Sequence, residues 1–158
     1  MGVLRVDHPQ ILDFITLKDK MNLEHFNLSV GITDVFMEAA SKNQEYALKD
    51  PYTGKELEKI KARRVLDLIA TMAWKTADPG VLFLDRINRA NSTSNFKEIS
   101  TTDTCGEMPM HDNESACLGS INLSRFIKEN KIDYDRMKEI IHLAVRFLDD
   151  AIEASWYP

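Results

Sequence analysis

HFNLSVGITDVFMEAA, His25 to Ala40, decides the fold class, because its hydrophobic period changes partway along. From His25 to Gly31, Phe26, Leu28 and Val30 alternate with Asn27 and Ser29, the period-two pattern of a half-buried strand. From Asp34 to Lys42 the pattern is that of a short helix, entered through Thr33, whose hydroxyl suits an N-cap. A strand that runs directly into a helix points to an α/β or mixed α+β chain.

The rest of the chain extends that reading. Pro9 to Leu17 predicts a helix with proline in its first turn. Glu45 to Lys49 predicts an edge strand ahead of the turn Asp50-Pro51-Tyr52-Thr53-Gly54. Leu57, Ile60, Val65, Leu66, Ile69, Met72 and Ala73 predict one helix from Lys55 to Thr76, stopped before Asp78-Pro79-Gly80. Val81 to Leu84 is a short apolar run, the pattern of a fully buried strand, and polar Arg89 to Asp103 reads as a connecting loop. Asp135 to Ser155 is a helix with Asp133 as its N-cap and an apolar face of Met137, Ile140, Ile141, Ala144, Val145, Leu148 and Ile152.

Composition limits the function classes. At 158 residues, 44% hydrophobic and 28% charged, the chain is one domain or part of a larger one, with enough apolar residues for a core. A net charge of −5 argues against a dedicated nucleic-acid binder. No apolar run approaches the ~18 residues of a membrane span, and the start MGVLRVDHPQ lacks the pattern of a signal peptide. With only two cysteines, a reducing, cytoplasmic setting is expected.

Chemistry concentrates in TTDTCGEMPMHDNESACLGSINLS, Thr101 to Ser124, which holds both cysteines, Cys105 and Cys117. Three readings stand open. Each thiol could be a small buried filler. Cys105, His111 and Cys117, with Asp103 or Glu107, could hold zinc, although the spacing misses the usual paired ligands. Or Cys105 is reactive: in an extended loop, residues i and i+2 face one side, so Cys105 and Glu107 could address one substrate, with Gly106 between them. A neighbouring carboxylate disfavours a thiolate. It suits a cysteine that reacts without ionising while Glu107 takes a proton.

GVLRVDHPQILDFI, HFNLSVGITDVFMEA, ADPGVLFLDRINR, the Cys-Gly-Glu stretch and LGSINLSRF resemble, in order, the catalytic subunit of ribonucleotide reductases, above all the adenosylcobalamin-dependent class II branch. The resemblance implies a fragment of a ten-stranded α/β barrel. Residues 1–158 would be a single partial domain from its centre, with the finger loop at about 100–118. It implies reduction of a ribonucleotide to the 2′-deoxyribonucleotide, with Cys105 as the thiyl radical and Glu107 as the base for the 3′-hydroxyl. It also implies a deoxynucleotide effector, the remaining segments of the reductase, an external dithiol reductant such as thioredoxin, and a possible homodimer. Lys18, Asp19, Lys20 and Asn22, in the stretch Lys18 to Glu24, would fall on the effector loop, beside the simpler reading of a solvated charged turn.

Two positions depart from the family pattern. Asp103, which the resemblance makes the third residue of the catalytic set with Cys105 and Glu107, stands where the motif has an asparagine, which bonds the substrate hydroxyls. Ala116 occupies the redox-cysteine position, and Cys117 lies one residue late, so its redox role competes with a structural one. The family's partner redox cysteine and phosphate-binding segment find no match here. The chain is therefore expected to be a split piece, an internal-start product or a cut piece, inactive alone. A non-catalytic regulatory or assembly fragment is the alternative. Asp7 and His8 before Pro9 read as a turn, and Arg63, Arg64, Arg86 and Arg89 as surface or ion-pairing residues.

Overall fold

A parallel sheet of three strands organises the first part of the chain in a computed structural model, which describes residues 1–93 and 97–156. In chain order its elements are β1 (Gly2–Arg5), α1 (Ile11–Ile15), α2 (Leu17–Lys20), β2 (Leu28–Ile32) and α3 (Asp34–Ser41). Next come β3 (Glu45–Lys49), β4 (Glu56–Lys61), α4 (Ala62–Thr76), β5 (Gly80–Phe83) and α5 (Leu84–Arg89). The short strands β6 (Thr101–Thr102) and β7 (Pro109–Met110) follow. A 3₁₀ turn over Leu123–Phe126, β8 (Ile127–Lys128), β9 (Lys131–Ile132) and α6 (Tyr134–Ala154) complete the order. The architecture is mixed α/β, as expected from the sequence. Among the described residues that sheet is open, the other three sheets are two-stranded, and no closed barrel is formed. Within the span read as one partial domain, backbone contacts group residues into two units, Met1–Glu114 and Ser115–Pro158.

In the first unit the sheet order is β1-β2-β5, both pairings parallel. Parallel neighbours need a crossover between them. Helices α1 and α2 supply one, and α3, the β3–β4 hairpin and α4 supply the other. The helix at Asp34 forms as predicted, with Thr33 Oγ1 accepting from the Phe36 amide at 3.2 Å. Its Phe36 meets Tyr46 edge-to-face, centroids 4.9 Å apart, in a core that includes Val6, Ile11, Val30, Ile32, Leu48, Val65 and Ile69. The Tyr46 hydroxyl donates to the Val6 carbonyl at 2.9 Å, and burial pushes its pKa up.

Several sequence expectations are corrected. The strand read as half-buried from His25 is β2, which starts at Leu28 and is buried at every position, because it is the central strand. Val81 to Leu84 was expected to be fully buried. Its strand instead pairs only with β2 among the described residues, and Val81 and Phe83 remain exposed. The single helix expected over Lys55–Thr76 begins as β4, antiparallel to β3 with Tyr46 opposite Ile60. Hairpin pairing overrides the three-residue spacing of Leu57 and Ile60. The Pro9–Leu17 helix is confined to Ile11–Ile15, with a second helical turn at Leu17–Lys20. The polar loop from Arg89 is largely irregular as expected, part of it lying outside the described residues. Strand β1 had no sequence signal.

Gly31 permits the close packing that places α5. A Cβ there would lie 2.5 Å from Leu84 Cδ1. The second unit has its own logic. Asp133 caps α6, accepting from the Arg136 amide at 3.0 Å. Glu129 and Asn130 turn the β8–β9 hairpin with φ of 51° and 60°. Helix α6 forms as predicted, but no residue on it is buried. Its apolar side and residues 118–121 line a cleft of about 560 Å³. No helix among the described residues is long and apolar enough to cross a membrane.

Candidate active site

Cys105 sits at the tip of a loop whose two arms zip together as β6 and β7, Thr101 opposite Met110 and Thr102 opposite Pro109. Thr102 and Met110 are buried and fasten the arms, whereas Thr104, Cys105 and Glu107 are exposed. The tip is not the extended segment assumed from the sequence. It is a turn, with Gly106 at φ +91° in the region that glycine adopts without strain. The expected convergence of thiol and carboxylate therefore arises differently: Cys105 Sγ and carboxylate oxygens of Asp103 and Glu107 lie within 4.8 Å of one another. Both thiols are free and exposed, which removes the buried-filler reading.

Asp103 organises the turn. Its Oδ1 accepts from the Met108 amide at 3.0 Å and the Gly106 amide at 3.2 Å. Its own amide donates to the Met108 carbonyl at 3.0 Å. The Met108 amide is the main cause that holds the Asp103 carboxyl below its ordinary pKa, helped by the amides of Gly106 and Cys105. Asp103 is thus an anion bound by backbone donors.

Two asparagines that the sequence did not single out anchor this loop to the fold. Asn88 on α5 clamps its base, accepting from the Ile99 amide at 2.8 Å and donating to the Ile99 carbonyl at 2.9 Å. Asn27, ahead of β2, donates from Nδ2 to the Thr104 carbonyl at 2.7 Å, one residue before the thiol. A cleft of about 540 Å³ is lined by Asn27, Ser29, Asp78, Gly80, Cys105 and Gly106, among others. The candidate thiol opens onto it.

The remaining predicted positions fall as follows. Of the zinc candidates, the His111 ring lies 3.1 Å from Thr93 Oγ1 and 3.3 Å from the Glu98 carbonyl. The convergent trio is Asp103, Cys105 and Glu107. Cys117 lies exposed on an irregular segment of the second unit. Lys18, Asp19 and Lys20 sit on α2, and each is ion-paired: Lys18 with Asp78, Asp19 with Lys75 at 2.5 Å, Lys20 with Asp13 at 3.3 Å. Asn22 follows them and lines a cleft with Lys18 and Thr76. His8 Nδ1 accepts from the Gln10 amide at 3.1 Å and Asp7 pairs with Arg5 at 2.9 Å, the turn role expected. Arg63 and Arg89 pair with Asp67 and Asp34.

A parallel α/β sheet carrying a thiol and a carboxylate on a finger-like loop defines a class, and sequence comparison identifies it. The chain belongs to the ribonucleotide reductase family: the model of its barrel domain matches residues 1–158. Among its relatives is the vitamin B12-dependent ribonucleoside-diphosphate reductase of Thermoplasma acidophilum, 47% identical over 161 residues that cover 100% of this chain and 21% of the relative. The enzyme of that name from Mycobacterium tuberculosis is 46% identical over 160 residues, again 100% of this chain and 23% of the relative. A vitamin B12-dependent ribonucleotide reductase of Streptomyces coelicolor is 28% identical over 187 residues, 100% of this chain and 19% of the relative. The chain therefore spans about a fifth of the length of these relatives.

Proposed function

We propose that this chain is the portion of a ribonucleotide reductase that carries its radical cysteine, and that the complete protein converts ribonucleotides to 2′-deoxyribonucleotides. The convergence of the Cys105 thiol with the Asp103 and Glu107 carboxylates, beside a cleft that Cys105 lines, carries the reading. Cys105, as a thiyl radical, takes the 3′-hydrogen atom of the ribose and becomes a thiol. Glu107, exposed beside it, takes the 3′-hydroxyl proton. Loss of the 2′-hydroxyl as water then consumes two electrons and two protons from a dithiol, which leaves as a disulfide. Cys105 returns a hydrogen atom to C3′, and Glu107 returns the proton to the 3′-oxygen, so both residues end as they began. Asp103 shapes the turn, since Oδ1 is already occupied by two amides.

The named relatives depend on vitamin B12, and adenosylcobalamin is the proposed cofactor of the complete protein. Its role is to generate the radical on cysteine. An exposed thiol at the tip of a loop fits that requirement, because a bulky external group can reach it. The dithiol is an external thioredoxin-like protein or a cysteine pair to which Cys117 contributes. Lys18, Asp19, Lys20 and Asn22 are proposed to border a deoxynucleotide effector site. Remaining reductase segments, and a second copy in a dimer, complete the assembly.

The test is deoxynucleotide formation by this chain mixed with the missing reductase segments, a nucleotide substrate, adenosylcobalamin and dithiothreitol. Cys105→Ala should abolish it, and Glu107→Gln should lower it by about 10²–10⁴-fold, the usual worth of a positioned acid or base. The chain alone should be inactive. Undiminished turnover in Cys105→Ala would refute the catalytic reading. Asp103 and Ala116, where the family pattern has asparagine and cysteine, favour the alternative of a non-catalytic assembly fragment.

A further inference from the structure

Asn27 is separated from Cys105 by most of the unit's sequence, yet its side chain reaches the backbone immediately before the thiol. Its Nδ2 donates to the Thr104 carbonyl at 2.7 Å. The strand end behind it is fixed on two sides. The Asn27 carbonyl accepts from the Gly2 amide at 2.8 Å, closing the β1–β2 ladder. The next amide, Leu28, donates to Asp78 Oδ1 at 3.1 Å. The other Asp78 oxygen is ion-paired to Lys18, both side chains largely buried at 14% and 15% exposure. One continuous set of contacts thus runs from α2 through Asp78 and the start of β2 to the cysteine turn.

We infer that Asn27 is a positioning residue for Cys105, and that the Lys18–Asp78 pair sets where Asn27 stands. Asp103 holds the turn together from within, through the amides of Gly106 and Met108. Those bonds fix its shape but not its place in the cleft. Asn27 supplies the place, tying Thr104 to the rim that Asn27, Asp78 and Cys105 share. Movement of α2 would displace Asp78, then the Leu28 amide, then the thiol. Asn27 is itself exposed, so replacing it removes a tether without opening the core. The functional weight of this tether rests on the reading of Cys105 given above, but the tether itself does not.

The experiment follows amide exchange by nuclear magnetic resonance in the 158-residue chain, comparing Asn27→Leu and Asn27→Asp with the parent. Gly106 and Met108 should exchange roughly three- to tenfold faster, the consequence of losing one neutral hydrogen bond. Ile99, held by Asn88, and the melting temperature should not move. Lys18→Met should accelerate the same two amides, and should add nothing in an Asn27→Leu background. Parent-like exchange at Gly106 in both Asn27 variants, or a rise shared by the whole unit, overturns the tether. An additive effect of Lys18→Met overturns its link to α2. In the assembled reductase, Asn27→Leu should lower kcat with KM little changed. Should Cys105→Ala retain turnover there, the catalytic reading fails while the exchange result still decides the tether.

Discussion

Replacing Asn88 by alanine isolates what holds the cysteine loop to the sheet. Its amide group makes a paired set of bonds with the backbone of Ile99, at 2.8 Å and 2.9 Å, and a third to the Leu84 carbonyl on its own helix at 3.0 Å. Only the first two cross to the loop. Each neutral bond contributes about 0.5–1.5 kcal/mol net, so Asn88→Ala should cost the loop base about 1–3 kcal/mol. That corresponds to amide exchange roughly five- to 150-fold faster at Ile99. The neighbouring Thr101 and Thr102 should follow, since their ladder with Met110 and Pro109 is only two residues long. Exchange at Val30 in the buried central strand should stay at the parent rate, because Asn88 lies outside the main core. Hydrogen exchange read by mass spectrometry resolves the two regions. Parent-like exchange at Ile99 in a folded Asn88→Ala chain would mean that β6–β7 and the buried Ile99 side chain anchor the loop without the clamp.

Two further outcomes follow from the geometry. Gly31→Ala places a methyl group 2.5 Å from Leu84 Cδ1, and should lower stability by about 1–3 kcal/mol in a urea titration through overpacking. A full-stability variant would show that α5 can shift freely. The second concerns pH. The folded pKa of Asp103 lies below its ordinary 3.8, so its contribution to the turn is complete above that value and fades as pH falls through the lower, folded value. Protection of the Gly106 and Met108 amides should persist through pH 4 and be lost only further down. Asp103→Asn, which keeps an acceptor, should remove this pH dependence. A midpoint above 3.8 in the parent would contradict the assignment.

Local chemistry was legible wherever it was self-contained. Thr33 and Asp133 are N-caps because a side-chain oxygen and an amide two or three residues on satisfy each other without help from elsewhere. The Cys-Gly-Glu stretch announced its chemistry for the same reason, since Gly106 and the spacing of the two groups lie within one turn. The route was misjudged: an extended segment was expected, and a carboxylate-bonded turn is found. Lys55 to Lys61 misled because spacing over so few residues cannot separate helix from strand. Pairing with Glu45–Lys49 decides it. Asn27 and Asn88 gave no signal, because an exposed asparagine before a strand and another on a helix are ordinary until their partners are known.

By itself the sequence determined the mixed α/β class, the capped helices, the family and the residues that bring a thiol and carboxylates into one short segment. These depend on neighbours along the chain, whose distances are set by covalent geometry. The tertiary structure alone decided that β2 is wholly buried, that β5 leaves side chains exposed, and that Asn27 and Asn88 hold the loop. Each of these depends on which distant segment arrives alongside, and hydrogen bonds such as that from Asn27 to Thr104 exist only once the folded sheet has brought their two ends together.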